Sequence, residues 1–128
     1  MSKRLTDGRR ATVLDFGVNL LFTSFWYDHE VHPGCEISED AEETTIYGPL
    51  CMNIDVIRQN LSFPLLRKED PVVLPRVGAY NMTQWMQFIT YRPNIVLIDS
   101  DGKTHIIRKK EELETLTGNE VIPDKLKQ

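Results

Sequence analysis

Short runs of β-branched and aromatic residues, each ended by glycine, proline, asparagine or aspartate, constrain the fold of this chain more than any other feature. Residues 11–16 form the first such run, which is closed by Gly17, and residues 44–47 form another, which is broken by Gly48-Pro49. Such runs are typical of strands, because β-branched and aromatic side chains fit a pleated, half-buried surface. The pattern predicts a mainly β fold, a small β-barrel or β-sandwich of about six to eight short strands.

Local signals add a hairpin and a bent aromatic segment to this prediction. The dipeptide Asp101-Gly102 separates the apolar runs 95–98 and 104–107, which is a strong hairpin signal. Residues 20–31 are rich in Phe, Trp and Tyr and stop at the turn His32-Pro33-Gly34. We predict two short strands or one bent strand over residues 20–31.

Two short helices complete the prediction. Residues 81–88 carry apolar side chains at helical spacing, with Asn81 as a candidate N-cap. Residues 111–116 have a leucine-lined side, and Gly118 lies just beyond their end.

Length and composition limit the class of protein. The chain has 128 residues, 41% of them hydrophobic, which suits one domain over residues 1–128 with one core. The net charge of −4 argues against a nucleic-acid partner. We find no apolar run of membrane-spanning length and no secretory signal, so we expect a cytoplasmic protein without a membrane partner, in which Cys35 and Cys51 are free thiols.

The residue pattern offers no self-contained catalytic or cofactor site. The seven glycines are too far apart to form a phosphate-binding loop, and every lysine has polar or charged neighbours, which does not suit an imine-forming amine. His29, His32 and Cys35, with Cys51 as a fourth ligand, could be written as a zinc site. The turn at residues 32–34 explains them without a metal, so we predict none.

The aromatic residues are clustered. Four of the eleven lie within residues 22–27 and four more within residues 80–91. A β core and a contact surface both explain such clusters. Because strand side chains alternate, Phe25, Trp26 and Tyr27 cannot all point inward, and we expect at least one of them to face outward.

Three segments carry a family resemblance. They are residues 13–19 (Val-Leu-Asp-Phe-Gly-Val-Asn), residues 48–55 (Gly-Pro-Leu-Cys-Met-Asn-Ile-Asp) and residues 78–80 (Gly-Ala-Tyr). In this order they resemble the C-terminal β-barrel domain of fold type III pyridoxal-phosphate decarboxylases, the group of diaminopimelate, ornithine and arginine decarboxylases. Residues 106–111 also resemble that family's last strand and the start of its last helix, so the resemblance covers nearly the whole chain.

The resemblance implies an alanine racemase C-terminal-like fold and an incomplete active site. In that family the cofactor lysine, the glycine-rich phosphate loop and the acidic partner of the pyridine nitrogen lie in an N-terminal TIM-like barrel that this chain does not contain. We therefore expect residues 1–128 to be the C-terminal domain of a homodimeric decarboxylase that uses pyridoxal 5′-phosphate. We expect it to be inactive without its N-terminal barrel, whether the chain is a truncated piece or the product of a split gene.

Two residues match catalytic or cofactor-binding positions of the family. Cys51 matches the cysteine that reaches into the active site of the dimer mate and controls protonation after carbon dioxide leaves, a task that suits a thiol. A small buried hydrophobic residue is the alternative interpretation of Cys51. Tyr80 matches the tyrosine that approaches the cofactor phosphate, where a phenol donates a hydrogen bond. Its alternative is an aromatic residue packed at a helix start.

Departures from the family pattern concern the substrate. Tyr27 matches a family tyrosine, but Thr23 stands where diaminopimelate decarboxylases carry an arginine, and Met52 stands where the family has an acidic residue for the distal ammonium group. These departures argue against a diamino acid and favour a less polar, larger or carrier-bound amino acid. Decarboxylation and racemisation both remain open.

A second hypothesis belongs to another class. The chain would then be a stand-alone, non-catalytic β-barrel binding or assembly module, and the aromatic clusters at residues 22–27 and 80–91 would form its protein-binding face.

Overall fold

The structure is a computed structural model that describes residues 2–37 and 40–127. Its contacts divide the chain into two compact units, Met1–Phe88 and Ile89–Gln128, and each unit is described by itself. The first unit carries strands β1 to β6 and the second carries β7, β8 and the helix α1. The strand bounds are β1 Ser2–Arg4, β2 Arg10–Val13, β3 His32–Pro33, β4 Glu42–Tyr47, β5 Val56–Phe63, β6 Val72–Val73, β7 Ile95–Ile98 and β8 Thr104–Arg108.

A four-stranded sheet organises the first unit. Its order is β1-β2-β4-β5, in which β2 and β4 run parallel and the two outer pairs run antiparallel. Register shifts interrupt the pairing of β4 with β5 on both sides of Ile46, which bends the sheet. The strands β3 and β6 form a separate two-stranded pair.

The hydrophobic core lies in the same unit and is built by alternation along the strands. Ile46 of β4 and Ile57 of β5 are buried, and Phe63 at the end of β5 closes the layer. Arg10 is buried at the sheet and donates to Thr44 Oγ1 over 2.7 Å and to the Phe63 carbonyl, so its charged head is satisfied inside the fold. The buried apolar residues that pack together are Val18, Leu21, Val31, Ile46, Leu50, Ile57, Phe63 and Leu66.

The second unit contains the predicted hairpin. β7 and β8 pair antiparallel, and the Asp99 carboxylate accepts the backbone N–H groups of Asp101 and Lys103 in the turn. The helix α1 spans Leu113–Thr117 and ends at Gly118, close to the predicted 111–116. The predictions of the hairpin and of this helix are confirmed. The sequence could predict both because each depends on residues that are close together along the chain.

Two segment predictions are wrong. Residues 20–31 form no strand. They contain a 3-10 helix at Phe22–Phe25, in which the Leu21 carbonyl accepts the Ser24 N–H and the Thr23 carbonyl accepts the Trp26 N–H, each from three residues further along the chain. Residues 81–88 form no helix. Turns cover only residues 81–83, and the Met86 N–H donates to the Asn19 carbonyl and not to a carbonyl one turn back.

The fold class is nevertheless confirmed as a small, mainly β domain. The described strands form three separate open sheets, none of which closes on itself as a barrel. Across residues 2–37 and 40–127, none of the helices has the length and apolar character needed to span a membrane.

Candidate functional site

A cavity of about 340 Å³ opens beside the 3-10 helix of the first unit. One wall is the segment that follows this helix, and the other is the segment that ends in Gly78-Ala79-Tyr80. The lining residues are Thr23, Tyr27, Asp28, His29, Glu30, Pro75, Arg76, Ala79 and Tyr80. Three residues predicted as site residues from the sequence, Thr23, Tyr27 and Tyr80, therefore meet at one place.

A chain of hydrogen bonds fixes the floor of this cavity. The buried Asn81 places its side-chain oxygen 3.1 Å from the Thr23 backbone nitrogen and 3.0 Å from Thr23 Oγ1. Its side-chain nitrogen donates to the Val77 carbonyl. Thr23 Oγ1 also lies 2.7 Å from His29 Nε2. Asn81 thus joins the two walls, which is the role that it has in place of the predicted N-cap.

The rim of the cavity carries charged groups. Glu30 is paired with Arg76 and lies 3.3 Å from His32 Nε2, and Asp28 lies 2.7 Å from an Arg58 nitrogen. Burial lowers the pKa of His29 below its usual 6.5, and the nearby Asp28 carboxylate opposes this only in part. His29 is therefore neutral at neutral pH.

Tyr80 is held in an unusual backbone conformation. Its φ angle is +65°, in the left-handed region that a tyrosine rarely adopts, and 66% of its surface is exposed. Its carbonyl accepts the N–H groups of Thr83 and Gln84, so the following turns maintain this conformation. Tyr80 is exposed and no helix starts beside it, so the alternative of a tyrosine packed at a helix start does not hold.

Cys51 lies in a different loop, between β4 and β5. Its thiol is exposed, which removes the alternative of a small buried hydrophobic residue. Met52 is half-buried and packs against the core. Neither residue lines the cavity that contains Tyr27 and Tyr80.

Asp55 explains why the Cys51 loop has a defined shape. This carboxylate is 2% exposed, and it accepts the Val18 N–H over 2.8 Å and the Leu50 N–H over 2.7 Å. It thereby ties the loop after β2 to the turn that precedes Cys51.

Two glycines make room for this carboxylate. A Cβ atom built at Gly17 or Gly48 would overlap the Asp55 oxygens, and at Gly48 it would also overlap the Gly17 Cα. The glycine and aspartate positions of the 13–19 and 48–55 segments are therefore one packing unit. Asp55 belongs to the 48–55 motif, but the motif alone does not indicate its role, and the pair of glycines is the sequence signal from which that role could be predicted.

Other residues of the site were also missed or interpreted differently. The sequence pattern indicates no role for Asp28 or Glu30 and makes His29 only a candidate zinc ligand. Within residues 2–37 and 40–127, no group of three or more His, Cys, Asp or Glu side chains could hold a metal ion. Phe25, Trp26 and Tyr27 are all more than half exposed, which confirms that at least one of the three faces outward.

The fold and the site together define a small, mainly β domain that presents a polar cavity and, separately, an exposed thiol loop. The family model for the "Pyridoxal-dependent decarboxylase, C-terminal sheet domain" matches residues 1–78, more than half of the chain. The chain belongs to this family, which confirms the resemblance noted in the sequence.

Curated relatives extend the match beyond residue 78. The diaminopimelate decarboxylase of Helicobacter pylori is 29% identical over 122 residues, covering 89% of this chain and 29% of the relative. The lysine/ornithine decarboxylase of Selenomonas ruminantium is 27% identical over 101 residues, covering 78% of this chain and 26% of the relative. The chain thus spans under a third of the length of these relatives.

Solved structures show the same fold. The diaminopimelate decarboxylase of M. jannaschi superposes with a TM-score of 0.85 at 23% identity, covering 98% of this chain and 29% of that chain. The Helicobacter pylori diaminopimelate decarboxylase complexed with L-lysine gives a TM-score of 0.81 at 22% identity, covering 92% of this chain and 29% of that chain. At these identities the likeness concerns the fold alone.

Proposed function

We propose that this chain is the C-terminal domain of a pyridoxal-phosphate-dependent amino acid decarboxylase and completes composite active sites at a homodimer interface. Membership of the C-terminal sheet family supports the cofactor and the reaction class. The chain covers about 29% of its curated relatives, so the rest of each site belongs to an N-terminal barrel. The chain alone is inactive.

The observation that carries the dimer proposal is the separation of the site residues into two groups. Thr23, Tyr27 and Tyr80 line one cavity, whereas Cys51 is exposed on a loop that does not line it. In a twofold dimer with two equivalent sites, each copy gives the cavity group to one site and Cys51 to the other. Tyr27 and Tyr80 of the first group and Cys51 of the second are exposed in the single chain, as residues that meet a second polypeptide must be, whereas Thr23 is buried at the cavity floor.

The residues of the cavity suit one edge of the cofactor. Its lining contains no lysine, so the imine-forming amine comes from the N-terminal barrel. The Tyr80 phenol is an exposed donor that can bind a phosphate oxygen. When bound, pyridoxal phosphate supplies the electron sink for loss of the carboxylate.

The chain's own residues act on the substrate and the proton. Cys51 carries a thiol proton and delivers it in the partner's site after carbon dioxide leaves, which is general acid catalysis. Tyr27 lies beside Asp28 and His29 and orients the substrate side chain. Met52 is tucked against the core and shapes the loop that carries the thiol.

Two carboxylates of the cavity bear on the substrate. Asp28 and Glu30 lie beside Tyr27, although the position after Cys51 is the uncharged Met52. We propose that the substrate is an amino acid with a polar far end, a revision of the less polar, larger or carrier-bound substrate that Thr23 and Met52 favour in the sequence.

Reconstitution tests the proposal. This chain is mixed with the matching N-terminal barrel, complex formation is verified, and carbon dioxide release from amino acids is measured. We expect activity only from the mixture, a loss of about 100-fold or more for Cys51→Ala, and a weaker apparent affinity for pyridoxal phosphate in Tyr80→Phe. The matched control is Cys35→Ser, which removes the other exposed thiol. An inactive complex, or a Cys51→Ala complex as active as the control, contradicts the proposal.

A non-catalytic binding module is the second candidate. Phe25 and Trp26 expose 53% and 56% of their surfaces, which suits a protein-binding face. Stable binding to a protein other than the N-terminal barrel, abolished by Trp26→Ala, with no catalysis in the verified complex would favour this candidate.

A further inference from the structure

The hydrogen-bond chain at the cavity floor determines where each proton lies. Asn81 must point its nitrogen at the Val77 carbonyl, because a carbonyl only accepts, and so its oxygen faces Thr23. Thr23 Oγ1 and Asn81 Oδ1 are 3.0 Å apart, and two oxygens at this distance need the hydroxyl proton between them.

The position of the Thr23 proton fixes the tautomer of His29. Since Thr23 has already donated its only hydroxyl proton to Asn81, it must accept from His29 Nε2 at 2.7 Å. His29 Nε2 therefore carries a proton. In the neutral ring the other nitrogen, Nδ1, then carries a lone pair. Among the described residues no hydrogen bond to Nδ1 is found.

We infer that His29 is a specificity-determining residue of the cavity, whose Nδ1 accepts a hydrogen bond from an N–H or O–H donor at the far end of the substrate. The inference rests on the proposed function, since it takes this cavity as the place of the substrate side chain. Thr23 and Asn81 act through His29 and are positioning residues.

The charges around His29 favour the same ligand chemistry. The cavity contains the carboxylates of Asp28 and Glu30, and its one cationic lining side chain, Arg76, is already paired with Glu30. A substrate carboxylate at this position would meet the Nδ1 lone pair and no unpaired cation among the lining residues, because Arg76 is held by Glu30 and Asp28 is already paired with Arg58, whereas an N–H or O–H donor finds an acceptor. The cavity therefore selects against a second carboxylate on the substrate.

The first experiment measures the tautomer in the ¹⁵N-labelled chain. Two-bond ¹H–¹⁵N spectra distinguish a protonated from an unprotonated ring nitrogen. We expect His29 to be protonated at Nε2 alone in the wild type and in Thr23→Ser, which keeps the hydroxyl. Thr23→Val keeps the shape but removes the acceptor, so His29 becomes a mixture of tautomers. Equal mixtures in all three proteins, or a proton at Nδ1, would overturn the inference.

The second experiment measures ligand selection with simple probes. n-Butylamine and butyrate are titrated into the full chain, and the Nδ1 resonance is followed. We expect n-butylamine to shift this resonance and butyrate to leave it unchanged. His29→Gln keeps a donor for Thr23 but lacks the Nδ1 acceptor, and we expect it to bind n-butylamine about tenfold more weakly. Affinities of the wild type and the variants are compared through the backbone amide resonances of the cavity residues, which all these proteins share.

Matched variants and separate readouts make the outcomes distinct. His29→Asn places a polar group near the Nδ1 position and should retain more affinity than His29→Gln. Binding of butyrate equal to that of n-butylamine, or unchanged n-butylamine affinity in His29→Gln, refutes the role of His29 whether or not the reconstituted complex is active. A locked tautomer and amine selection in a verified but inactive complex would refute the proposed function and leave the cavity's selectivity standing.

Discussion

Replacement of Asp55 by asparagine tests the structural account of the motif most directly. Both carboxylate oxygens are used inside the fold, one for the Val18 N–H and one for the Leu50 N–H. Asparagine has one acceptor oxygen, and its NH₂ group would face a backbone N–H, so one buried donor loses its partner. A charge-assisted hydrogen bond contributes about 1.5–3 kcal/mol and an unsatisfied buried donor costs about 1–3 kcal/mol. We therefore expect the free energy of unfolding to fall by about 2–4 kcal/mol.

Urea unfolding followed by tryptophan fluorescence measures this loss, because Trp26 and Trp85 both lie in the first unit. The matched control is Asp15→Asn, the same chemical change at an exposed position in the loop that Asp55 anchors. The control should change stability by less than about 0.5 kcal/mol. If Asp55→Asn unfolds at the same urea concentration as Asp15→Asn, the carboxylate does not tie the two loops and the packing argument fails.

Three further predictions follow from single groups. Gly48→Ala places a methyl group on the Asp55 carboxylate, and we expect it to lower the free energy of unfolding of the first unit at least as much as Asp55→Asn does. The same urea titration measures this effect, and the control is Gly78→Ala, whose added methyl group meets no atom within 4 Å. Burial lowers the pKa of His29 in the folded chain, so the unfolded chain takes up a proton first as the pH drops through 6.5, and the free energy of unfolding should fall. Urea midpoints measured on either side of that pH should show this fall, and His29→Gln should reduce it. The His105 hydrogen bond and two backbone N–H groups lower the pKa of Asp99 below 3.8, so the carboxylate stabilises the hairpin turn above pH 3.8 and this stabilisation is lost as the pH falls below that value. Amide exchange at Gly102 should become faster, relative to an unfolded chain, as the stabilisation is lost. Asp99→Asn should lack the stabilisation at all pH values.

The parts of the fold that the sequence predicts correctly depend on residues that are close together along the chain. The hairpin of β7 and β8 follows from Asp101-Gly102 between two apolar runs, and α1 ends at Gly118, the glycine that predicted its C-terminus. Residues 20–31 have the composition of a strand, but backbone hydrogen bonds accepted by the Leu21 and Thr23 carbonyls form a 3-10 helix there. Asn81 has the chemistry of an N-cap, yet its partner is a threonine far away in the sequence, and no periodicity encodes that distance.

The candidate site shows the same contrast between residues that the sequence identifies and relations that only tertiary contacts create. The resemblance singled out Cys51, Tyr27 and Tyr80, and the structure places all three on the surface of the first unit. It did not indicate that the tyrosines share a cavity from which Cys51 is separate. His29 acquires its role only from the proton order imposed by Thr23, which depends on tertiary contacts.

Asp55 connects these observations, because it sets the spacing between the two groups of site residues. The Gly17 carbonyl accepts the N–H groups of Leu20 and Leu21, and this turn leads directly into the 3-10 helix that carries Thr23. The same carboxylate that holds this turn through the Val18 N–H also holds the loop of Cys51. In the proposed dimer, each chain presents the cavity and the thiol to two different sites, so we expect an error in their spacing to disturb both. Asp55 is 2% exposed and accepts hydrogen bonds from both loops, so it ties them more strongly than an exposed ion pair, which contributes at most about 1 kcal/mol.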